Sequence, residues 1–213
     1  VSFSITFMGG ADQFDPPGRR GVGSLTAAML SEGTTTRDGV ALSNALQLLG
    51  TDVSVSIGGE SGSMSFVSTA EKYPQTLDIL ADMLLHPTFP QASLERLRAQ
   101  RLVALAQAKA QPASIAARVF PRVLYGPDHP YGQTVTEAST KATTRDDIVA
   151  FHREYFPPGR ALIPVVGDVQ PAAVKATVET ALGAWPAQPP RWIPRCANSS
   201  GCRRKSRASR RPA

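Results

Sequence analysis

The residues of this 213-residue chain whose types could do chemistry are three histidines, a run of serines, two cysteines and an arginine-bearing helix. A metal helix needs imidazoles at i and i+4 with a carboxylate or thiolate to complete the set. His86, His129 and His152 share no such spacing, and no Cys or Glu cluster stands near them. His86 and His129 each precede a proline and His152 lies among aromatic residues, so structural or surface roles are expected. Ser54, Ser56, Ser61, Ser63, Ser65 and Ser68 would act as nucleophiles only beside a base. No G-x-S-x-G elbow follows a strand, and the pattern reads as the polar face of a half-buried hairpin. Gly9-Gly10 and Gly58-Gly59 lack phosphate-loop fingerprints and read as turns. Cys196 and Cys202 lack zinc-finger partners, and Arg96, Arg98 and Arg101 read as a solvated helix face.

The elements that must position these residues follow from hydrophobic periodicity. An opening strand over 1–8 leads into turn chemistry over 9–18, a loop before a helix within the segment 21–34. A second helix is predicted over 38–49, stopped by Gly50. Val53, Val55 and Ile57 alternate with Ser54 and Ser56, and Met64 and Phe66 alternate in a return strand, which makes a hairpin. Further helices are predicted over 72–85, 91–110, 113–124, 145–155 and 171–182. A strand is predicted over 161–166, interrupted by Pro164 and so suited to a sheet edge. Hairpins with segregated helices predict an α+β fold, a mostly antiparallel sheet with helices packed on one face.

Composition narrows the class further. Apolar residues make up 42% and charged residues 19% of the chain, as in ordinary globular domains. No run of about 18 apolar residues is present, so no membrane span is expected. The net charge of +6 misleads, because the segment from Arg191 onward holds eight Lys/Arg and no acid, leaving 15 basic against 17 acidic residues in positions 1–190. Residues 1–185 therefore read as the folded domain, and 186–213 as a disordered basic tail or a non-native end. The opening Val1 has neither initiator methionine nor signal-like lead-in, and the chain reads as a piece of a longer protein.

The helix after the first turn runs Gly21-Val22-Gly23-Ser24-Leu25-Thr26-Ala27-Ala28-Met29-Leu30-Ser31-Glu32-Gly33-Thr34. This segment resembles the helix on which insulinase/pitrilysin-type zinc peptidases carry an inverted H-x-x-E-H motif. In that frame Ser24 stands at the first histidine, Ala27 at the general-base glutamate and Ala28 at the second histidine. The resemblance continues through Leu85-His86-Pro87-Thr88-Phe89, Leu94-Glu95-Arg96, Tyr125-Gly126-Pro127-Asp128-His129-Pro130-Tyr131-Gly132, Phe151-His152-Arg153-Glu154-Tyr155-Phe156 and Val165-Val166-Gly167-Asp168-Val169, covering about residues 1–185. The family's third zinc ligand, a glutamate far along the long helix, is replaced by Leu105 or its neighbours, since no carboxylate lies between Glu95 and Asp128. Zinc needs imidazole or carboxylate lone pairs and an acid to activate its water, and serine, alanine and leucine supply none of these.

The resemblance thus implies the metal-free type of family member, with the family's two-layer α/β roll and no cofactor of its own. Zinc and cutting would belong to a sister subunit or domain, in a homo- or heterodimeric clamshell that encloses peptides. This chain would grip extended peptide at the strand edge of Val53, Ser54, Val55, Ser56 and Ile57, with Ser54-Val55 where active relatives carry Asn-Ala. Arg96, Arg98 and Arg101 would, on the same analogy, line a chamber wall. A bacterial setting is implied, periplasmic or cytoplasmic. Two other function classes remain open at this point: a hydrolase with an unrecognised site, and a scaffold whose basic tail binds nucleic acid or anionic membrane, although no nucleic-acid partner is expected.

Overall fold

The computed structural model describes residues 1–187, so nearly all of the expected tail, with Cys196 and Cys202, lies outside the described residues. The opening strand is β1 (Ser2–Met8), and its period of two buries Phe3, Ile5 and Phe7 while Ser2 and Met8 stay exposed. A short helix α1 (Ala11–Phe14) forms inside the segment expected to be loop. It forms because the amides of Ala11 and Asp12 donate to the carbonyls of Gly58 and Gly59, a distant hairpin turn. Helix α2 (Val22–Met29) carries the motif segment. In α3 (Gly39–Leu49), Asp38 accepts the amide of Ala41 at the N-terminus, and Gly50 closes the helix at φ +69°.

Strands β2 (Ser54–Ile57) and β3 (Ser61–Val67) form the expected hairpin, with Val55 opposite Met64 and Ile57 opposite Gly62. Helix α4 (Tyr73–Leu85) ends at His86-Pro87, and α5 (Gln91–Ala108) starts after Pro90. Helix α6 (Pro112–Tyr125) buries none of its residues and leaves Phe120 and Val123 exposed. The unforeseen α7 (Glu137–Ala142) and the foreseen α8 (Arg145–Tyr155) each begin with a reciprocal cap, Thr136 with Ser139 and Thr144 with Asp147. The strand expected over 161–166 is two bridges, β4 (Ala161–Leu162) and β5 (Val165–Val166), because Pro164 has no N–H to give the ladder. Pro164 still offers its carbonyl, which accepts the amide of Ser4 at 3.2 Å. Helix α9 (Pro171–Leu182) closes the fold.

The sheet order is β2-β3-β1-β4, with β5 also on β1, and every one of these pairings is antiparallel. Phe3, Ile5, Phe7, Met64 and Phe66 face the helices, while Ser54, Ser56 and Ser61 face away and are exposed. The α+β prediction of an antiparallel sheet with helices on one face therefore holds. Rings dominate the core: Phe3 stacks on Phe66 with centroids 5.1 Å apart, and Phe7 meets Phe156 edge-on at 4.8 Å. Each such pair adds about 0.5–1.5 kcal/mol beyond its buried area. Among the described residues β2 and β4 end this strand order.

Candidate functional site

Helix α2 is held at its start by one carboxylate. Gly21 adopts φ +100°, a left-handed turn that suits glycine, and Oδ2 and Oδ1 of Asp15 accept the amides of Gly21 and Gly23, each at 2.7 Å. The Asp15 side chain is 2% exposed, and burial pushes its carboxyl above the ordinary value against the pull of those two amides and Arg20. The same charge sits at the positive end of the α2 dipole. Arg20 gathers the surrounding loops, donating to the carbonyls of Ala11 at 2.8 Å and Pro130 at 2.6 Å and pairing with Asp12 at 3.0 Å. The His-Pro-Tyr-Gly loop is tied in a second time, where Tyr131 donates to Glu60 of the β2–β3 turn.

On this helix Ser24 and Ala28 are half-buried one turn apart, and Ala27 is buried at 4% exposure. The Ser24 hydroxyl turns back and donates to the carbonyl of Gly21 at 3.1 Å. The same carbonyl accepts Nη1 of Arg101, arriving from α5, at 2.9 Å. Burial pushes the Arg101 guanidinium below its ordinary value and the nearby Asp15 charge opposes this; a guanidinium is a cation in proteins whatever its surroundings. The Val135 methyls stand against Gly21 on the same side as Arg101. A divalent ion asks for converging lone pairs; this corner presents a spent hydroxyl, two methyls and a positive charge. Among the described residues no three of His, Cys, Asp and Glu converge as a metal set.

Leu105 lines a recess of about 410 Å³ with Ala108, Ile115 and Val119, to which α2 contributes no residue. Arg101, one turn earlier on α5, donates to the carbonyl at the start of α2. The sequence reading missed it by treating Arg96, Arg98 and Arg101 as one solvated face, and the structure corrects that. Arg96 is exposed and pairs with Glu32 at 2.5 Å. Arg98 is half-buried and donates to the Thr143 carbonyl at 2.6 Å, and Arg101 is half-buried on Gly21. The available signal was that Arg101 lies in a stretch without acids, so no neighbour on its own helix face could pair with it.

The strand edge expected to grip peptide begins one residue later than predicted. Val53 is buried at 4% exposure and precedes β2, whereas Ser54 and Ser56 are exposed on the open face and Val55 and Ile57 turn toward the helices. The Ser56 and Ser63 hydroxyls meet at 3.1 Å across the hairpin. As the terminal strand of the order, β2 keeps one backbone edge unpaired by any named strand. Helix α2 packs beside it because Gly23 has no side chain: a Cβ there would lie 2.8 Å from the Phe151 ring and 3.3 Å from Ile57. The structure thus brings Ser24, Ala27, Ala28 and the β2 edge into one neighbourhood.

The histidines are dispersed. His86 is exposed with Nδ1 3.4 Å from Asp82 Oδ1, and His129 Nδ1 accepts the amide of Tyr131 at 3.1 Å. His152 Nε2 donates to the Leu84 carbonyl at 2.8 Å, and burial pushes its imidazole below the ordinary value. No described helix is long and apolar enough to cross a membrane.

The model of the insulinase family, peptidase family M16, matches residues 2–125, and that of the peptidase M16 inactive domain matches residues 142–209. Among curated proteins the chain is 22% identical over 184 residues to YmxG of Bacillus subtilis, described as an uncharacterized zinc protease, covering 85% of this chain and 44% of that protein. It is 25% identical over 157 residues to a protein of Mycobacterium tuberculosis also described as an uncharacterized zinc protease, covering 73% of this chain and 36% of the relative. The chain thus spans less than half the length of these curated relatives. Among solved structures, a peptidase M16 inactive domain from Pseudomonas fluorescens superposes with a TM-score of 0.81 at 27% identity, over 90% of this chain and 47% of that one. The periplasmic protease PqqL of Escherichia coli shares the fold, with a TM-score of 0.76 at 18% identity over 91% of this chain and 22% of PqqL. With a family model matched over more than half of its length and a shared fold, the chain belongs to the insulinase family, peptidase family M16.

Proposed function

We propose that this domain is a non-catalytic half of an M16 peptidase assembly, which holds extended peptide for a zinc-bearing partner subunit or domain and does not itself cut. The observation that carries the reading is the α2 corner, where Ser24 and the Arg101 guanidinium both donate to the carbonyl of Gly21. A helix that would have to present lone pairs to a cation presents donors and methyl groups instead. The match to the M16 inactive-domain model and the Pseudomonas fluorescens fold support the same reading. Two zinc-protease relatives longer than this chain leave room for the metal to sit elsewhere in the assembly.

Peptide holding falls to β2. An extended peptide added to an open strand edge is gripped through backbone N–H and C=O groups, with side-chain selectivity secondary. Ser54 and Ser56 offer no bulk against an incoming strand, and α2 flanks it through Gly23.

Metal analysis of the purified chain should find zinc far below one equivalent, and EDTA should leave both the Tm and any peptidase background unchanged. A labelled ten-residue peptide should bind, and its counterpart N-methylated at alternate residues should bind at least about tenfold more weakly, because it cannot complete a ladder. Stoichiometric zinc would overturn the non-catalytic reading. Equal binding of the N-methylated peptide would overturn the strand-edge grip.

A further inference from the structure

A cavity of about 450 Å³, to which α2 contributes no residue, opens between the end of α4, helix α8 and Trp185. That volume falls within the range of small-molecule sites. Its wall includes Leu84, Phe89, Phe156 and Trp185, and among the described residues its charged lining consists of Arg145 and Arg153 with no carboxylate.

The cavity coincides with the strained point of the backbone. Phe89 has φ +49°, the sole positive φ outside glycine among the described residues. Strain of this kind persists only where the surroundings over-determine it, and it concentrates at ligand sites. The surroundings here are Arg145, whose Nε donates to the Phe89 carbonyl and whose Nη2 donates to the Thr88 carbonyl, both at 2.8 Å. The Phe89 ring then lies edge-on to His152 at 5.5 Å.

Clamping fixes the guanidinium as well as the loop. Arg145 has five N–H donors and these two bonds occupy two of them, so donors remain for a further acceptor. Arg153 lies two helical turns along α8, is exposed, and makes no ion pair among the described residues. His152, fixed through Nε2 to Leu84, puts no competing anion in the wall. Two cations at an apolar pocket suit a ligand with one anionic end and a hydrophobic body. A guanidinium takes a carboxylate oxygen with directional, charge-assisted bonds.

We propose that this cavity is a binding site for an amphipathic carboxylate, its aromatic or aliphatic body against Phe89, Phe156 and Trp185 and its carboxylate on Arg145 and Arg153. The chemistry is shared by free aryl acids and by the C-terminus of a peptide ending in an apolar residue. The site is separate from the β2 edge and does not depend on the peptide-holding role proposed for it.

The test is calorimetric titration of the full chain with indole-3-propionate, with N-acetyl-Ala-Ala-Phe and with the C-terminal amide of that peptide. At least one acid should bind with Kd below about 1 mM, and which of the two binds tells the free acid from the peptide terminus. The amide should bind at least about tenfold more weakly than the peptide acid if the terminus is the source. Arg153→Gln, an exposed change with unaltered Tm, should weaken the acid that binds by about tenfold. Val149→Trp, which fills the cavity from α8, should abolish binding. The proposal is overturned if neither acid binds, if the amide matches the peptide acid where that acid is the ligand, or if Arg153→Gln leaves affinity unchanged in a folded protein.

Discussion

Removing the Asp15 carboxylate tests whether α2 is held in place as described. Asp15→Ala strips acceptors from the amides of Gly21 and Gly23 at a nearly buried helix start, and takes a counter-charge from Arg20. Two hydrogen bonds to a charged group are worth about 1.5–3 kcal/mol each, and relief of the buried charge returns part of that. The expected net loss is about 2–4 kcal/mol, which for a domain of this size lowers Tm by roughly 4–16 °C. Urea unfolding followed by circular dichroism measures it, the midpoint shifting with an unchanged m-value. Asp15→Asn keeps one acceptor oxygen and removes the charge together with the other acceptor. Because the folded-state carboxyl is raised above its ordinary value, the native state binds that proton more tightly than the unfolded chain. Wild type should therefore gain stability relative to Asp15→Asn as pH falls through the raised value toward about 4. A loss below about 0.5 kcal/mol in Asp15→Ala, or an opposite pH trend, refutes the reasoning.

Three further changes probe the rest of the frame. Asp82 accepts the hydroxyls of Thr34 at 2.7 Å and Thr36 at 2.5 Å and pairs with Arg37 at 3.2 Å. These partners outweigh partial burial and hold its carboxyl below the ordinary value, so its stabilisation is present above about pH 4 and disappears as pH falls through the lowered value. Asp82→Asn should cost roughly 1–2 kcal/mol at pH 7, and the gap to wild type should close in acid, as read by thermal melts across pH. Tyr155→Phe deletes the bond to the Gly9 carbonyl at 2.7 Å and should cost about 1 kcal/mol in chemical unfolding while leaving the ring packing intact. Gly132→Ala would put a Cβ 1.8 Å from the Gly126 carbonyl oxygen, so the His-Pro-Tyr-Gly loop must move. Roughly 1–3 kcal/mol of destabilisation is expected, with faster amide exchange at Tyr131 than in wild type.

Much of the frame was legible in the chain because its signals are local. The alternation of Val55 and Ile57 with serines, the Asp38 and Gly50 caps and the prolines at 87, 90 and 112 each act within a few residues, and each element appears where they place it. The loss of motif residues at Ser24, Ala27 and Ala28 is likewise a matter of residue type at fixed spacing. Two short helices were missed: α1 exists through the distant Gly58 and Gly59 carbonyls, and α7 rests on a local cap of Thr136 with Ser139 that the periodicity did not reveal.

The sequence by itself determined that α2 lacks imidazole and acid, that the sheet would be antiparallel with one polar face, and that the chain resembles metal-free peptidase relatives. Only tertiary structure decided that Arg101 reaches the carbonyl at the start of α2, and that Arg145 clamps the left-handed Phe89 over a cavity. The reason is the reach of the interactions. Periodicity and capping are written over a turn or two of chain, whereas the partner of a long guanidinium side chain is chosen by whichever carbonyl the packed core carries within its span, 80 residues away for Arg101 and 56 for Arg145.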